Sequence, residues 1–357
     1  MMATYYVTTS GSDSNNGLTE SAAFATPGYA TGQASTSGDK IYIREGTYNL
    51  TTATINVSGG PLEIAQGVQV EGYKTTIGDR AAKPIINTSG ITIARIVRLV
   101  TPSFNRLGSY VASLEVNGTS PTSTSQGFGY DSNYFGLVFD CISRNCEYGF
   151  RGGTTTGMAV NCEAHDCQIG FYSGSLLYCW GDSCQSGFGP FVKNASSCIS
   201  SNSTSHGFDV GNSFINTWKK CVAVNNGGDG FRCAYDIGYC SEMISVGNSG
   251  YGYRWGTASS SPVMFDCADY NNASGRTINT NTSRDFRPIN LTADPFVDSA
   301  NNDYRLNDIA GGGAELRQIQ VSGLAGVNGV FDVGAIDAVV TASSGSGGGS
   351  IFHPLAQ

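Results

Sequence analysis

Three side chains of different charge share one position in three consecutive repeats in the middle of the sequence. When the repeats are aligned on their first polar residue, Arg144, His165 and Asp182 fall in the same column. A guanidinium, an imidazole and a carboxylate together could bind an anion and move a proton, so we predict a catalytic site there. The alternative is a solvated polar turn with ion pairs, because any repeat protein needs polar residues on its outside.

Four other candidates involve aromatic and imidazole side chains. Exposed indole rings stack well on sugars, so carbohydrate binding is predicted for Trp180, Trp218 and Trp255, with core packing as the alternative for each. His206 lies beside a Gly-Phe pair that Asp209 follows, and the two could form a second surface pair. An ordinary polar surface is the alternative for that pair.

The loop at Asp13, Asn15 and Asn16 offers oxygen ligands of the kind that calcium prefers. A turn built from Gly, Asn and Asp without an ion explains the same residues. The sequence therefore predicts no metal site and no cofactor.

One short unit recurs seven times between residues 141 and 275. It begins as Asn145-Cys146-Glu147-Tyr148-Gly149-Phe150 and starts again 17 to 23 residues later each time. The further starts are Asp166, Ser183, Asn202, Asn225, Asn248 and Asn271. A period of this length is typical of a solenoid, in which each unit is one coil.

Composition decides which type of coil the repeat forms. The region has neither a Leu-x-x-Leu-x-Leu frame nor a long apolar run of helical period. It has short strand-like pieces such as 136–141 and 262–267, separated by Gly, Ser and Asn. The prediction is an all-β, single-stranded right-handed parallel β-helix of about 10–12 coils of roughly 17–23 residues, with a short N-terminal cap and a flexible C-terminal tail.

The Asn column has a physical reason. One residue at a tight bend must take a left-handed backbone conformation, which Asn and Asp tolerate better than other non-glycine residues. Stacked coils would then place the amides in a ladder along the axis, and the Gly-aromatic pair would send a ring into the core.

Eleven cysteines all lie between Cys141 and Cys267, ten of them in two columns of the repeat. Stacked interior thiols are the favoured interpretation, because free Cys is small, apolar and often buried. Disulfides between neighbouring coils and a metal site are the alternatives.

The net charge is −8, which argues against nucleic acid as a partner, because phosphate binding needs a basic face. No run of 18 apolar residues is present, so no membrane segment is predicted. The first residues lack a basic region followed by an apolar segment, so no signal peptide is predicted, and we expect the chain to be made and kept in a cytoplasm.

Two segments carry a family resemblance. The first runs through residues 5–17, 24–26 and 38–48, and the second through 290–298, 302–306 and 331–336. They resemble the opening and the closing coils of pectate-lyase-like right-handed β-helix proteins. The departure at Thr26-Pro27-Gly28-Tyr29 predicts a cap helix that is short or absent. Expected parts are an entry module at 1–50, the β-helix at 51–340, and a Gly/Ser linker with an apolar peptide at 341–357.

A structural or adhesive component of a virion, such as a tailspike, fibre or head decoration of a bacteriophage, is the first functional hypothesis. The resemblance implies a homotrimer that contacts host polysaccharide, and the tail peptide would anchor it to neighbouring proteins through Ile351, Phe352, Pro354 and Leu355. A polysaccharide lyase or glycoside hydrolase that uses carboxylates on an outer face is the second hypothesis. A secreted carbohydrate-binding solenoid is the third, and the expected location is the virion or, alternatively, the extracellular space.

Overall fold

The computed structural model describes residues 2–88, 90–100, 109–120, 125–130, 136–152, 157–211, 217–233, 239–256, 263–278 and 285–317. The predicted anchoring residues of the tail lie outside these ranges. The chain forms two compact units, one with residues 1–175 and one that begins at Leu176.

The first unit opens with a short entry module. It consists of β1 (Thr4–Val7), a 3₁₀ turn (Glu20–Ala22) and a single seven-residue helix, α1 (Pro27–Gln33). Pro27 takes the first helical position, where its missing N–H costs nothing. The cap helix is therefore present and short.

Parallel strands follow in coils of three. In the first unit they are β2 (Lys40–Arg44), β3 (Thr47–Asn49), β4 (Leu62–Ile64), β5 (Gln69–Tyr73), β6 (Ile85–Asn87), β7 (Arg95–Leu99), β8 (Tyr110–Ala112), β9 (Glu115–Asn117), β10 (Gln126–Tyr130), β11 (Leu137–Phe139), β12 (Ile142–Arg144), β13 (Tyr148–Arg151), β14 (Met158–Val160), β15 (Glu163–His165) and β16 (Ile169–Leu177).

These strands form three faces. Pairing of β4, β7, β10, β13 and β16 makes the first face, and β1, β2, β5, β8, β11 and β14 make the second. The third face contains β3, β6, β9, β12 and β15. Every one of these pairs is parallel, as stacked coils require.

The second unit repeats the arrangement. Its coil strands are β17 (Trp180–Asp182), β18 (Ser186–Ser196), β19 (Ile199–Ser201), β20 (Phe208–Val210), β21 (Thr217–Lys219), β22 (Val222–Val224), β23 (Phe231–Cys233), β24 (Tyr239–Ser241), β25 (Ile244–Val246), β26 (Tyr253–Trp255), β27 (Val263–Phe265), β28 (Ala268–Tyr270), β29 (Thr277–Ile278), β30 (Asp285–Phe286) and β31 (Ile289–Asn290). Its first face has β18, β20, β23, β26 and β29; its second has β18, β21, β24, β27 and β30. Its third face has β17, β19, β22, β25, β28 and β31.

Aromatic columns fill the interior behind the first face. In the first unit the rings of Phe128, Phe150 and Phe171 stack with centroids 5.0 and 4.8 Å apart. In the second unit Phe188, Phe208, Phe231 and Tyr253 stack at 4.2, 4.8 and 5.4 Å. The predicted Gly-aromatic motif therefore supplies the core.

The coils have two columns of turns with a left-handed backbone, whereas the sequence predicted one. The second, unpredicted column includes Tyr178, Lys220 and Glu242. Asn145, Asp166, Ser183, Asn202, Asn225 and Asn271 form the predicted column, but Gly247 and not Asn248 takes its place in one coil. Asn248 lies one residue further on, in a buried ladder between Asn226 and Asn272, where each backbone N–H donates to the next side-chain oxygen at 3.0 and 3.2 Å.

The C-terminal part of the second unit returns over its own third face. This segment contains β32 (Phe296–Asp298), a 3₁₀ turn (Ser299–Asn301), β33 (Asp303–Leu306) and α2 (Gly313–Arg317), and β32 pairs with β33 in antiparallel fashion. It buries Leu291, Phe296, Tyr304, Leu306 and Leu316 in one cluster with Trp180, Ile199, Val222, Val224, Ile244, Val246 and Ala268. The outer side of this face is thus a second hydrophobic core.

Neither helix in the described ranges has the length or apolarity to cross a lipid bilayer.

Candidate functional site

The predicted catalytic column is occupied by ion pairs and hydrogen bonds. Arg144 and His165 are register partners on β12 and β15, and Arg144 Nε lies 3.0 Å from Glu115 Oε1. His165 Nε2 lies 3.0 Å from Glu163 Oε2, and both side chains are buried. Asp182, in the second unit, accepts from Ser201 Oγ at 2.7 Å. The ion pairs of the alternative are present, but the three residues lie at the ends of strands β12, β15 and β17, and His165 is buried rather than solvated.

All three tryptophans are buried, which corrects the prediction of sugar-stacking indoles. Trp218 and Trp255 are 0% and 1% exposed, and Trp180 is 7% exposed within the cluster under the C-terminal segment. Ring faces in these positions are covered by protein, so core packing accounts for them.

The Asp13 loop is a turn held by protein donors. The carboxylate of Asp13 accepts from the backbone N–H groups of Ala25 and Thr26, both at 2.9 Å, and from Thr26 Oγ1 at 2.7 Å. These bonds use the oxygens that a calcium ion would need. In the described ranges no group of three or more His, Cys, Asp or Glu side chains could hold a metal ion.

The cysteines are interior thiols, as the sequence favours. All eleven are free and buried. Burial raises the pKa of Cys141 and of Cys267 to about 12. One column assignment is wrong: Cys240 lies in β24 beside Trp218 and Met264, and Met243 follows the left-handed turn residue Glu242 in its place.

A charged cluster on the first face of the second unit has the properties of a reactive site. Asp209, Arg232 and Arg254 are consecutive register partners on β20, β23 and β26, each flanked by a buried aromatic residue. Their side chains are 32%, 40% and 48% exposed. They form an outward column that begins with an acid and continues with two guanidinium groups.

His206 and Asp229 lie beside this column, in equivalent turns of neighbouring coils. His206 Nδ1 lies 3.4 Å from Asp229 Oδ2, and Arg232 Nη1 lies 2.9 Å from His206 Nε2. Arg254 Nη1 lies 3.5 Å from Asp229 Oδ2, and Arg232 Nη1 lies 3.8 Å from Asp209 Oδ1. We call His206, Asp209, Asp229, Arg232 and Arg254 the imidazole cluster.

Both ring nitrogens of His206 face protein donors. The backbone N–H of Asp229 donates to Nδ1 at 2.9 Å, and Arg232 Nη1, which can only donate, lies 2.9 Å from Nε2. A neutral imidazole has one lone pair in the ring plane, so it accepts a hydrogen bond from one of these two donors at a time. The ring is thus a base that lies beside a buried carboxylate and two guanidinium groups, as in proton-transfer sites.

The surroundings of His206 favour the neutral form of its imidazole, and burial is the main reason. Burial lowers the pKa of His206, and Arg232 and Arg254 lower it further, against the opposite effect of Asp209 and Asp229. Asp229 is held in place because its Oδ1 accepts the backbone N–H of Tyr251 at 2.9 Å. Gly228 is required beneath the ring, since a Cβ there would lie 2.7 Å from His206 Nδ1.

Sequence reasoning had identified His206 and Asp209 but missed their partners. Asp229 follows His206 by 23 residues, and Arg232 follows Asp209 by 23, which is the spacing of the later repeats. Aligning charged residues at this period would have found the cluster.

No protein-family model matches the sequence, and no curated protein matches it. Several solved structures are similar in fold, among them the following three. The pectate lyase Pel9A has a TM-score of 0.51 and 15% identity, with 94% of this chain and 96% of that chain covered. A rhamnogalacturonan lyase has a TM-score of 0.50 and 16% identity, with 81% of this chain and 87% of that chain covered. The A-module of the mannuronan C-5 epimerase AlgE4 from Azotobacter vinelandii has a TM-score of 0.50 and 17% identity, with 69% of this chain and 71% of that chain covered.

This chain is a right-handed parallel β-helix. The predicted fold class and the pectate-lyase-like resemblance in fold are thereby confirmed. At such low identity the similarity concerns the fold alone, so the chemistry has to be argued from the side chains of this chain.

Proposed function

We propose that the protein acts on a uronate-containing polysaccharide as a lyase, with the imidazole cluster as its active site. The observation that carries the proposal is the position of the His206 ring, which lies between a buried carboxylate and two partly exposed guanidinium groups. The similar structures support it, since two of them are named as lyases and the third as a mannuronan epimerase.

The cluster has the groups that a β-elimination needs. In that reaction a base removes the proton on the carbon next to the uronate carboxyl, the C–O bond on the following carbon breaks, and a C=C bond forms between the two carbons. The leaving oxygen takes a proton from solvent. Neutral His206 would accept the first proton, and Arg232 and Arg254 would stabilise the negative charge that develops on the carboxyl group.

Substrate binding would also free the base. Arg232 Nη1 lies against His206 Nε2, at 2.9 Å. A uronate carboxylate is a stronger partner for a guanidinium than a neutral imidazole, so binding would draw Arg232 away from Nε2.

The same groups favour elimination over hydrolysis. Glycoside hydrolases need one carboxyl group that holds a proton and donates it to the leaving oxygen. Both aspartates of the imidazole cluster are ion-paired with arginines.

The test is to incubate the full chain with polygalacturonate, mannuronan and hyaluronan and to follow the ultraviolet absorbance of unsaturated uronate. His206→Gln should lose at least about 100-fold in turnover, the usual contribution of a positioned base. The matched control is His165→Gln, which removes the other described histidine that has a carboxylate partner. New reducing ends without the absorbance would indicate hydrolysis, and binding without either product would indicate a carbohydrate-binding solenoid; both results would overturn the lyase assignment.

A structural or adhesive role in a virion stays a prediction. So do the homotrimer, the anchoring by the tail and the location in a virion, since no described contact bears on them.

A further inference from the structure

Arg151 packs against two tyrosine rings that contact each other on the outer side of the first unit. Its guanidinium carbon lies 4.7 Å from the ring centroid of Tyr148 and 5.2 Å from that of Tyr172. The two rings meet edge to face with centroids 4.8 Å apart. All three side chains are partly exposed, and Phe150 beside them is buried in the core.

The donors of this guanidinium have no acidic partner in the described ranges. Arg98 and Arg144, on the first and third faces of the same unit, are paired with Glu63 and Glu115. Arg151 has ring contacts in place of a carboxylate. A guanidinium that packs against aromatic rings keeps N–H donors in its plane, and these can bind a carboxylate with two parallel hydrogen bonds.

The tyrosines make the position rigid and add apolar surface. Because the aromatic contacts fix the arginine before a ligand arrives, little side-chain entropy remains to be lost on binding. Burial raises the pKa of Tyr148, and the charge of Glu147 and its hydrogen bond with the phenol raise it further, so the phenol stays protonated and is held by Glu147.

From this geometry we infer that Tyr148, Arg151 and Tyr172 form a second, non-catalytic binding site for a carboxylated sugar unit. A sugar ring offers C–H groups to the tyrosines and its carboxylate to the arginine, whereas a bare inorganic anion would use the arginine alone. The choice of a uronate rests on the proposed function, while the anion preference rests on Arg151 itself.

The experiment measures binding by calorimetry in the full-length His206→Gln protein, so that turnover cannot interfere. An oligogalacturonate should bind, and Arg151→Gln should weaken its affinity roughly tenfold or more. Arg151→Lys should recover only part of the loss, because an ammonium cannot make the two parallel bonds. Arg305→Gln is the matched control, since Arg305 is a surface arginine paired with Asp303.

Two further measurements distinguish ligand binding at Arg151 from turnover at the imidazole cluster. With active protein, Arg151→Gln should leave kcat unchanged, because Arg151 lies outside the imidazole cluster. A neutral oligosaccharide of equal length should not compete. Equal affinity of Arg151→Gln and its parent, or equal competition by the neutral sugar or by inorganic sulfate, would overturn the inference. A protein that binds through Arg151 but shows no turnover would instead contradict the proposed function alone.

Discussion

Arg232 Nη1 lies 2.9 Å from His206 Nε2, the ring nitrogen to which the proposed function assigns the substrate proton. The contact joins residues in neighbouring coils, and it couples the charge of the arginine to the basicity of the ring. Several properties of the protein should depend on it.

Replacing Arg232 with Gln should raise the pKa of His206. Burial is the largest cause of the lowered value and remains, so the pKa should move toward the ordinary value without reaching it. An NMR titration of the His206 ring would measure the change, and the acid limb of the pH–activity profile should move the same way. No movement in Arg232→Gln would show that the guanidinium does not act on the ring; Arg305→Gln serves as the control.

The lowered pKa of His206 also makes stability depend on pH. The unfolded chain, in which histidine has a pKa of about 6.5, takes up the proton more readily than the native protein does. The stabilisation is therefore complete above the unfolded pKa and is lost as pH falls through it toward the native value. The free energy of unfolding in urea should fall more between about pH 7.5 and about pH 5.5 for the wild type than for His206→Gln. Equal decreases would contradict the assignment.

The buried asparagine ladder should be costly to interrupt. Asn248 Oδ1 accepts from both the backbone N–H and the side-chain Nδ2 of Asn226, at 3.0 and 2.8 Å. Asn248→Ala leaves two buried donors without an acceptor, so the free energy of unfolding should fall by at least about 2 kcal/mol. In chemical denaturation, Asn225→Gly should change stability little, because that residue is exposed and has a left-handed backbone that glycine adopts readily.

Arg276 closes the end of the aromatic column, and its removal should be strongly destabilising. Its guanidinium lies 5.4 Å from the Tyr253 ring centroid, pairs with Asp269 and Asp285, and donates to the Cys267 carbonyl at 2.8 Å. Arg276→Met leaves two partly buried carboxylates without their partner, at a cost of up to about 3–5 kcal/mol, the value for a fully buried pair. Arg305→Gln should leave the thermal midpoint unchanged. Similar midpoints for both variants would show that the buried network is not required.

The eleven thiols should be inert in the native protein. Only a thiolate reacts quickly with disulfide reagents, and burial both covers these groups and raises the pKa of Cys141 and Cys267 to about 12. A colorimetric thiol assay should detect no fast-reacting group in buffer and all eleven in denaturant. A rapid phase in buffer would reveal an exposed cysteine.

The sequence predicts the coils because their physical requirements recur at a fixed spacing. Asn145 provides a left-handed turn and Phe150 provides a ring in the interior. The same two requirements recur in each repeat. Local needs can be met by more than one residue, which is why the register of Asn248 was misjudged. Gly247 satisfies the turn and frees the asparagine for the ladder.

What the sequence did not predict depends on contacts between distant segments. A second column of left-handed turns includes Tyr178, Lys220 and Glu242, which have no local preference for that conformation and are held there by the coils on either side. The burial of Trp180 depends on the return of residues 291–317, more than a hundred positions later. No periodic pattern contains that information.

The returning segment also affects how the chain is made. The coils of the second unit can stack in order as they leave the ribosome, since each needs only its predecessor. One apolar strip remains exposed to solvent until residues 291–316 have been synthesised. It is formed by Ile199, Val222, Ile244 and their neighbours. During that interval the nascent protein exposes an apolar surface along one face, and a chaperone that binds extended apolar surface would bind there.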